Sequence, residues 1–192
     1  MKIPTSTGAA VNVKGFTLIE LMITLTIAAI LLAIGVPSFR SLIQNQRMTT
    51  TVNDLFFAIN LTRSQALQMG GRVDLAPIDN ADWSKGWRIF VNKPNDTDLT
   101  YNSDDQLVFS HGPIPNGITI TTAFTDGVTQ YITYNGTGRT RTNTSSQTPQ
   151  LGTITLTQDT QIRRIKLNFL GRPRVCDPAQ EPTTCTSTAD TK

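Results

Sequence analysis

The chain has 192 residues, with 17 lysines and arginines against 14 acidic residues and a formal net charge of +3. That length allows one domain of moderate size plus an appendage, and the overall charge is too small to argue for a uniformly basic protein. One histidine and two cysteines exclude a His/Cys metal site by spacing. With no nucleophile elbow, Gly-rich phosphate loop or cofactor motif, the sequence gives no support to an enzyme.

Residues 16–36 form an apolar run whose only charge is Glu20. A helix of about 20 residues spans roughly 30 Å, the thickness of a bilayer core. A secretory signal peptide has a shorter apolar region followed by a small-residue cleavage site, and neither matches here. A plain anchor accounts for the length and for the lysines before it, Lys2 and Lys14. It does not account for Glu20, because an ionisable group inside a membrane helix costs at least ~2.5 kcal/mol on insertion scales.

The stretch Lys14-Gly15-Phe16-Thr17-Leu18-Ile19-Glu20 resembles the prepilin signature of type IV pilins and type II secretion pseudopilins. The resemblance implies that a prepilin peptidase cuts between Gly15 and Phe16, removing residues 1–15 as a leader, and that Phe16 is then N-methylated. It also implies an assembly role for Glu20. The cut creates an α-amino group with a pKa near 7.7–8.0. On a neighbouring subunit that group can pair with Glu20, so the cost of burying the carboxylate is partly recovered on assembly. The implied partners are other pilin subunits, the peptidase and, before assembly, inner-membrane lipid. The implied location is a single-pass inner-membrane protein with its head in the periplasm, moving to a pilus at the cell surface. Pro37 falls where many pilins carry a helix-kinking proline.

Beyond Pro37, Phe39, Leu42, Ile43, Met48, Val52, Leu55, Phe56, Ile59 and Ala66 recur at spacings of three and four, with Gln44, Gln46, Asn53, Asn60 and Gln65 between them. This predicts the amphipathic half of one long helix, 37–70, packed under a globular head and stopped at Gly70-Gly71.

From Arg72 the pattern changes to short strands divided by turns such as Asn116-Gly117, Asp126-Gly127 and Asn135-Gly136. Strands are predicted at 72–76, 87–92, 106–111, 117–122, 130–134, 152–158 and 163–169. The alternation of Ile165, Leu167 and Phe169 places all three on one face. No second helical period follows, so the fold class is α+β, a long N-terminal helix packed on a β-rich head of short antiparallel strands. Trp83 and Trp87 read as core, and His111, beside Gly112-Pro113, as a surface residue at a strand end. The Asn/Asp-rich loop at 95–105 has the oxygen ligands calcium takes but not the spacing of a calcium loop, and it reads as a solvated hairpin. The segment Trp83-Ser84-Lys85-Gly86-Trp87-Arg88-Ile89-Phe90, followed by that loop and by Asp105-Gln106-Leu107-Val108-Phe109, resembles the head of the GspH/FimT group of minor pilins and pseudopilins. The expected organisation is a leader at 1–15, a membrane or filament-core helix at 16–36, its amphipathic half at 37–70, a head at 71–175 and a tail at 176–192.

The acid-free stretch 161–175 carries Arg163, Arg164, Lys166, Arg172 and Arg174, and Arg139 and Arg141 can add to it across the sheet. Loss of Lys2 and Lys14 with the leader leaves 15 basic residues against 14 acidic ones, so the positive charge is local. Charge of this kind can simply protect an edge strand. Arginine, however, suits bidentate phosphate recognition better than lysine does. Gly171-Arg172-Pro173-Arg174 resembles the GRxR motif of FimT-type minor pilins, which bind DNA in natural transformation. The resemblance implies a surface for double-stranded DNA made by these arginines and the tail. The cysteine pair, Cys176 and Cys185, fits a disulfide in an oxidising compartment, with free thiols as the alternative. The disulfide would close a loop of ~10 residues and stabilise it by about 2–3 kcal/mol. The rival reading is a structural minor pilin or GspH-like pseudopilin that primes assembly without binding DNA.

Overall fold

The computed structural model describes residues 15–79, 81–92, 99–127 and 130–189. Most of the leader (1–14) and the Asn/Asp run at 95–98 lie outside them. Among the described residues the elements are helix α1 (Leu18–Met69) and nine strands: β1 (Val73–Asp79), β2 (Asp82–Val91), β3 (Gln106–His111), β4 (Thr119–Phe124), β5 (Ile132–Tyr134), β6 (Thr140–Arg141), β7 (Gly152–Gln158), β8 (Gln161–Leu167) and β9 (Pro173–Cys176). The chain divides into two compact units, Met1–Ile43 and Gln44–Lys192.

In the first unit the helix is long and apolar enough to cross a membrane, and its apolar side chains are exposed. Thr17 caps it. The Glu20 N–H donates to Thr17 Oγ1 at 3.3 Å and the Leu21 N–H to the Thr17 carbonyl at 3.1 Å. Thr17-x-x-Glu20 thus has the spacing of a capping box, with Glu20 in the first turn, where the helix dipole favours an anion. Thr24 and Thr26 donate their hydroxyls to the carbonyls of Leu21 and Met22, so neither brings an unsatisfied donor to an apolar face.

The second unit begins with the rest of α1. Met48, Thr51, Val52, Leu55, Ala58, Ile59, Thr62 and Ala66 are buried, at the spacing of one helix face. The helix ends as the sequence predicts. Gly70 takes φ +62° and the Gly71 N–H returns to the Ala66 carbonyl at 3.3 Å, a Schellman-type stop. Two antiparallel sheets complete the unit, in strand orders β3-β2-β1-β5-β6 and β4-β7-β8-β9. The core joins the helix face to Val73, Leu75, Trp83, Trp87, Ile89, Ile132 and Tyr134 of the first sheet and to Ile154, Leu156, Ile165 and Leu167 of the second. Every buried residue of this core lies at or after Met48.

Several sequence expectations change. The buried stripe starts at Met48, while Phe39, Leu42 and Ile43 are exposed, because they precede the part of the helix that meets the sheets. Strand β8 stops at Leu167, and Phe169 is about half exposed in the turn that follows. Two strands were not predicted, the two-residue β6 and the Pro-initiated edge strand β9. His111 is not a free surface residue. Its ring stacks on buried Trp87, centroids 4.2 Å apart and 6° from parallel, and its Nε2 lies 3.5 Å from Asp54.

Candidate nucleic-acid interface

The acid-free segment folds as β8, a tight turn and β9. Asn168 builds the turn. Its side-chain carbonyl accepts the Leu170 and Arg172 N–H groups at 3.1 and 2.9 Å, and its backbone carbonyl accepts the Gly171 N–H at 2.9 Å. Asn135 does the same for the β5–β6 hairpin, accepting from the Thr137 and Arg139 N–H groups, both at 3.1 Å. Asparagine suits both places because its side chain can satisfy backbone donors that a tight turn leaves unpaired.

The two turns touch. A Cβ on Gly171 would lie 2.9 Å from both the Gly138 carbonyl oxygen and the Thr140 nitrogen, and 2.7 Å from the Tyr134 ring. Beneath this contact, the Tyr134 hydroxyl donates to the Gly171 carbonyl at 2.7 Å and the Arg63 Nε donates to the Gly138 carbonyl at 2.8 Å. Burial pushes the Tyr134 hydroxyl's pKa far up, against the opposing pull of the Arg63 charge, so it stays a neutral donor. Arg139 and Arg172 project from the joined turns. Both are exposed, and neither makes a side-chain hydrogen bond or ion pair among the described residues. Half-buried Arg63 stands behind them. Its Nε is fixed to a carbonyl and its two terminal amines have no partner among the described residues. Three arginines are thus carried by the segments that meet at this one glycine–glycine contact: Arg63 by α1, Arg139 by one turn and Arg172 by the other. Arg63 was missed in the sequence because a single arginine on the polar face of a helix carries no signal of what packs there.

The other cations named from the sequence are occupied. Lys166 is a correction. It is only 2 % exposed, and its ammonium donates to Thr186 Oγ1 at 2.8 Å and to the Thr186 and Thr188 carbonyls, both at 3.3 Å. Arg164 donates to the Cys185 carbonyl. Arg163 pairs with Asp177 at 2.8 Å, and Arg174 with Glu181 at 2.5 Å and with the Thr184 carbonyl at 3.3 Å. Lys166, Arg164 and Arg174 share one physical reason: the tail lies across the outer face of β8 and β9 and supplies carbonyls and a carboxylate to a face the sequence left open to solvent. Arg163 alternates onto the Ile165 side of β8 and meets Asp177 just past the end of β9. Arg141 is a second correction. It is half-buried, with its Nε and Nη2 on the carbonyls of Thr142 and Asn143, both at 3.0 Å. Burial and neighbouring Arg72 lower its pKa. It belongs beside buried Asp74, which accepts Arg72 at 2.9 Å and the Thr133 hydroxyl. Burial raises the Asp74 pKa against the pull of Arg72.

Cys176 and Cys185 form a disulfide, Cα atoms 5.9 Å apart, that closes the tail loop. Within it the Glu181 N–H donates to the Asp177 carbonyl at 2.8 Å and the Cys185 N–H to the Glu181 carbonyl at 2.9 Å. No group of His, Cys, Asp and Glu among the described residues is arranged to hold a metal ion. At the described end of the acidic loop, Asp105 closes a turn by accepting the Asn102 N–H at 2.7 Å. A cavity of about 650 Å³, lined by Arg88, Phe90, Tyr101, Phe124 and Tyr131, includes none of the cations considered above.

The family model described as type II transport protein GspH matches residues 51–171, and the one described as the prokaryotic N-terminal methylation motif matches 11–36. Among solved structures, the type IV minor pilin FimU of Pseudomonas aeruginosa superposes with a TM-score of 0.55 at 15 % identity, over 74 % of this chain and 98 % of FimU. A second crystal form of FimU gives 0.53 at 16 %, over 72 % and 99 %. The minor pseudopilin EpsH of Vibrio cholerae gives 0.45 at 9 %, over 68 % and 96 %. No curated protein matches the sequence. The FimU likeness is one of fold: a long helix followed by antiparallel sheets.

Proposed function

We propose that this chain, which belongs to the GspH family and is by that membership a pilin-like subunit, binds double-stranded DNA without sequence preference through its joined hairpins. The observation that carries the reading is the placement of exposed Arg139 and Arg172 on touching turns, with the Arg63 fork behind them and no internal anion drawing on any of the three. Such a cluster supplies phosphate contacts and no base-reading helix, so binding is electrostatic and salt-dependent. In this reading the apolar helix anchors the precursor in the inner membrane with the head outside the cytoplasm. Cleavage after Gly15 frees Phe16 for methylation, and Glu20 pairs with the new amino group of a neighbour on assembly. DNA held by the subunit then serves uptake in natural transformation.

The test is a salt series of DNA titrations with the full-length protein in non-ionic detergent. The wild type is expected to bind a mixed-sequence duplex with Kd around 10⁻⁴–10⁻⁶ M at physiological salt, and with a log–log salt slope of roughly −2 to −3. Replacing Arg139 and Arg172 together by Gln is expected to weaken binding to every sequence alike and to flatten the slope by about 2. Absence of binding at low salt, or an unchanged slope in the double variant, would overturn the DNA reading. One observation favours the alternative, a structural subunit that primes assembly: Arg163, Arg164, Lys166 and Arg174 are all engaged by the chain's own tail.

A further inference from the structure

The same engagement points to regulation of the proposed DNA surface, and the following inference rests on that reading. We infer that the disulfide-closed tail is an intramolecular competitor: Asp177 and Glu181 occupy, as carboxylates, the places on Arg163 and Arg174 that DNA phosphates would otherwise take.

The contacts divide into two kinds. Lys166 and Arg164 are buried or half-buried and hold backbone carbonyls of Cys185, Thr186 and Thr188, while Thr153 donates to the Thr188 carbonyl at 2.7 Å. These bonds pin the tail whether or not an anion is near. The two ion pairs lie at the surface. The Arg174 and Glu181 side chains are 47 % and 42 % exposed, and those of Arg163 and Asp177 are 38 % and 24 % exposed. Pairs of that exposure are weak, shifting an equilibrium by roughly twofold to fivefold each, and a polyanion can displace them. Glu181 is nevertheless kept in place. The disulfide fixes both ends of its loop, and the Thr184 hydroxyl donates to its carboxylate at 3.0 Å. A tethered carboxylate competes at a high effective concentration, whereas a free one would not.

Arg174 is also placed to extend the site. It follows Arg172 by two residues, at the start of β9, and pairs across the ladder with Lys166. Released from Glu181, it would continue the cationic row from the hairpin tip along the edge strand. The tail thereby sets how many cations the head offers: three at the joined turns with the ion pairs closed and, when they open, Arg174 beside them and Arg163 on the Ile165 side of β8.

The experiment compares full-length protein in non-ionic detergent with an Asp177→Asn/Glu181→Gln variant, titrating the same duplex across a salt series. The variant is expected to bind roughly threefold to tenfold more tightly, with a salt slope steeper by about 2. Adding Arg174→Gln should remove about half of the extra slope. An Asp79→Asn/Asp159→Asn variant changes net charge equally, away from these pairs, and should leave the slope unchanged. A Cys176→Ser/Cys185→Ser variant, which frees the loop without altering charge, should shift affinity in the same direction. Wild-type binding matched by the carboxylate variant in affinity and slope would overturn the competition alone, as would equal gains from the distant control. Failure of every form to bind at low salt would overturn the DNA reading and the competition with it.

Discussion

Replacing Gly171 by Ala tests whether the two hairpins are joined by close packing or merely lie near one another. Two costs add. At φ +73° a Cβ is strained, by roughly 1–2 kcal/mol for an L-residue in the left-handed region. The Cβ would also sit 2.7 Å from Tyr134 Cε1 and 2.9 Å from Gly138 O and Thr140 N. Two of these three neighbours are backbone atoms, and the third belongs to a fully buried ring whose hydroxyl is tied to the carbonyl of the same glycine. None can withdraw easily, and overpacking of this kind costs about 1–3 kcal/mol. Gly70 provides the control. Its φ is +62°, yet a Cβ there meets nothing within 4 Å. Gly70→Ala is therefore expected to cost only the conformational part, about 1–2 kcal/mol, and Gly171→Ala about 2–5 kcal/mol. The assay is urea unfolding of a fragment spanning 44–192, which contains the whole core, with the slope m unchanged between variants. Equal losses for the two alanines, to within about 0.5 kcal/mol, the usual scatter between independent sites, would refute the joined-hairpin geometry.

Lys166→Met removes the charged donor to the Thr186 and Thr188 carbonyls and to the Thr186 hydroxyl, and leaves the Thr188 carbonyl to Thr153 alone. A loss of about 1–3 kcal/mol is expected, with faster proteolysis of the tail and an unchanged DNA salt slope; a change of slope without loss of stability would place Lys166 on the binding surface after all. Glu181 has its pKa lowered from 4.5, chiefly by the hydrogen bond from Arg174. A depressed folded-state value means the pair contributes above the unfolded value and is lost as pH falls through the folded one. Carboxyl-carbon NMR should therefore show Glu181 titrating below 4.5, and a midpoint at or above that value would dismiss the pair. Mass spectrometry of assembled protein should find an N-methylated Phe16 at the N-terminus, and a retained Met1 would dismiss the processing.

The helix was legible in the sequence because its apolar run and its stop at Gly70-Gly71 are both written locally, whereas its cap at Thr17 came only from the structure. Most strands were legible through alternation. Strand β9 was not, because a strand that opens on a proline after Gly-Arg reads as turn, and its pairing depends on β8 rather than on its own residues. Alternation also misled at β8. Ile165 and Leu167 correctly mark the inner face, but the pattern treats the opposite face as water, and nothing local in the Thr-rich tail says that it folds back over Lys166. The arginines were found as residue types and sorted only by tertiary contact. Arg172 and Arg139 stayed exposed, Arg174 and Arg163 acquired carboxylates, and Arg63 entered from an element the sequence had given a different role.

The contact between Gly138 and Gly171 also divides the meaning of the four-residue motif that contains the second of them. Gly171 is demanded by architecture, since a hairpin turn of one sheet and a hairpin turn of the other meet there at backbone distance over the ring of Tyr134. A relative could keep that glycine for folding alone and have no affinity for any ligand. On the proposed reading the glycine therefore belongs to the scaffold, while affinity rests on its neighbours: the cation at 172, the second cation that the facing turn supplies at 139, and the acid at 181.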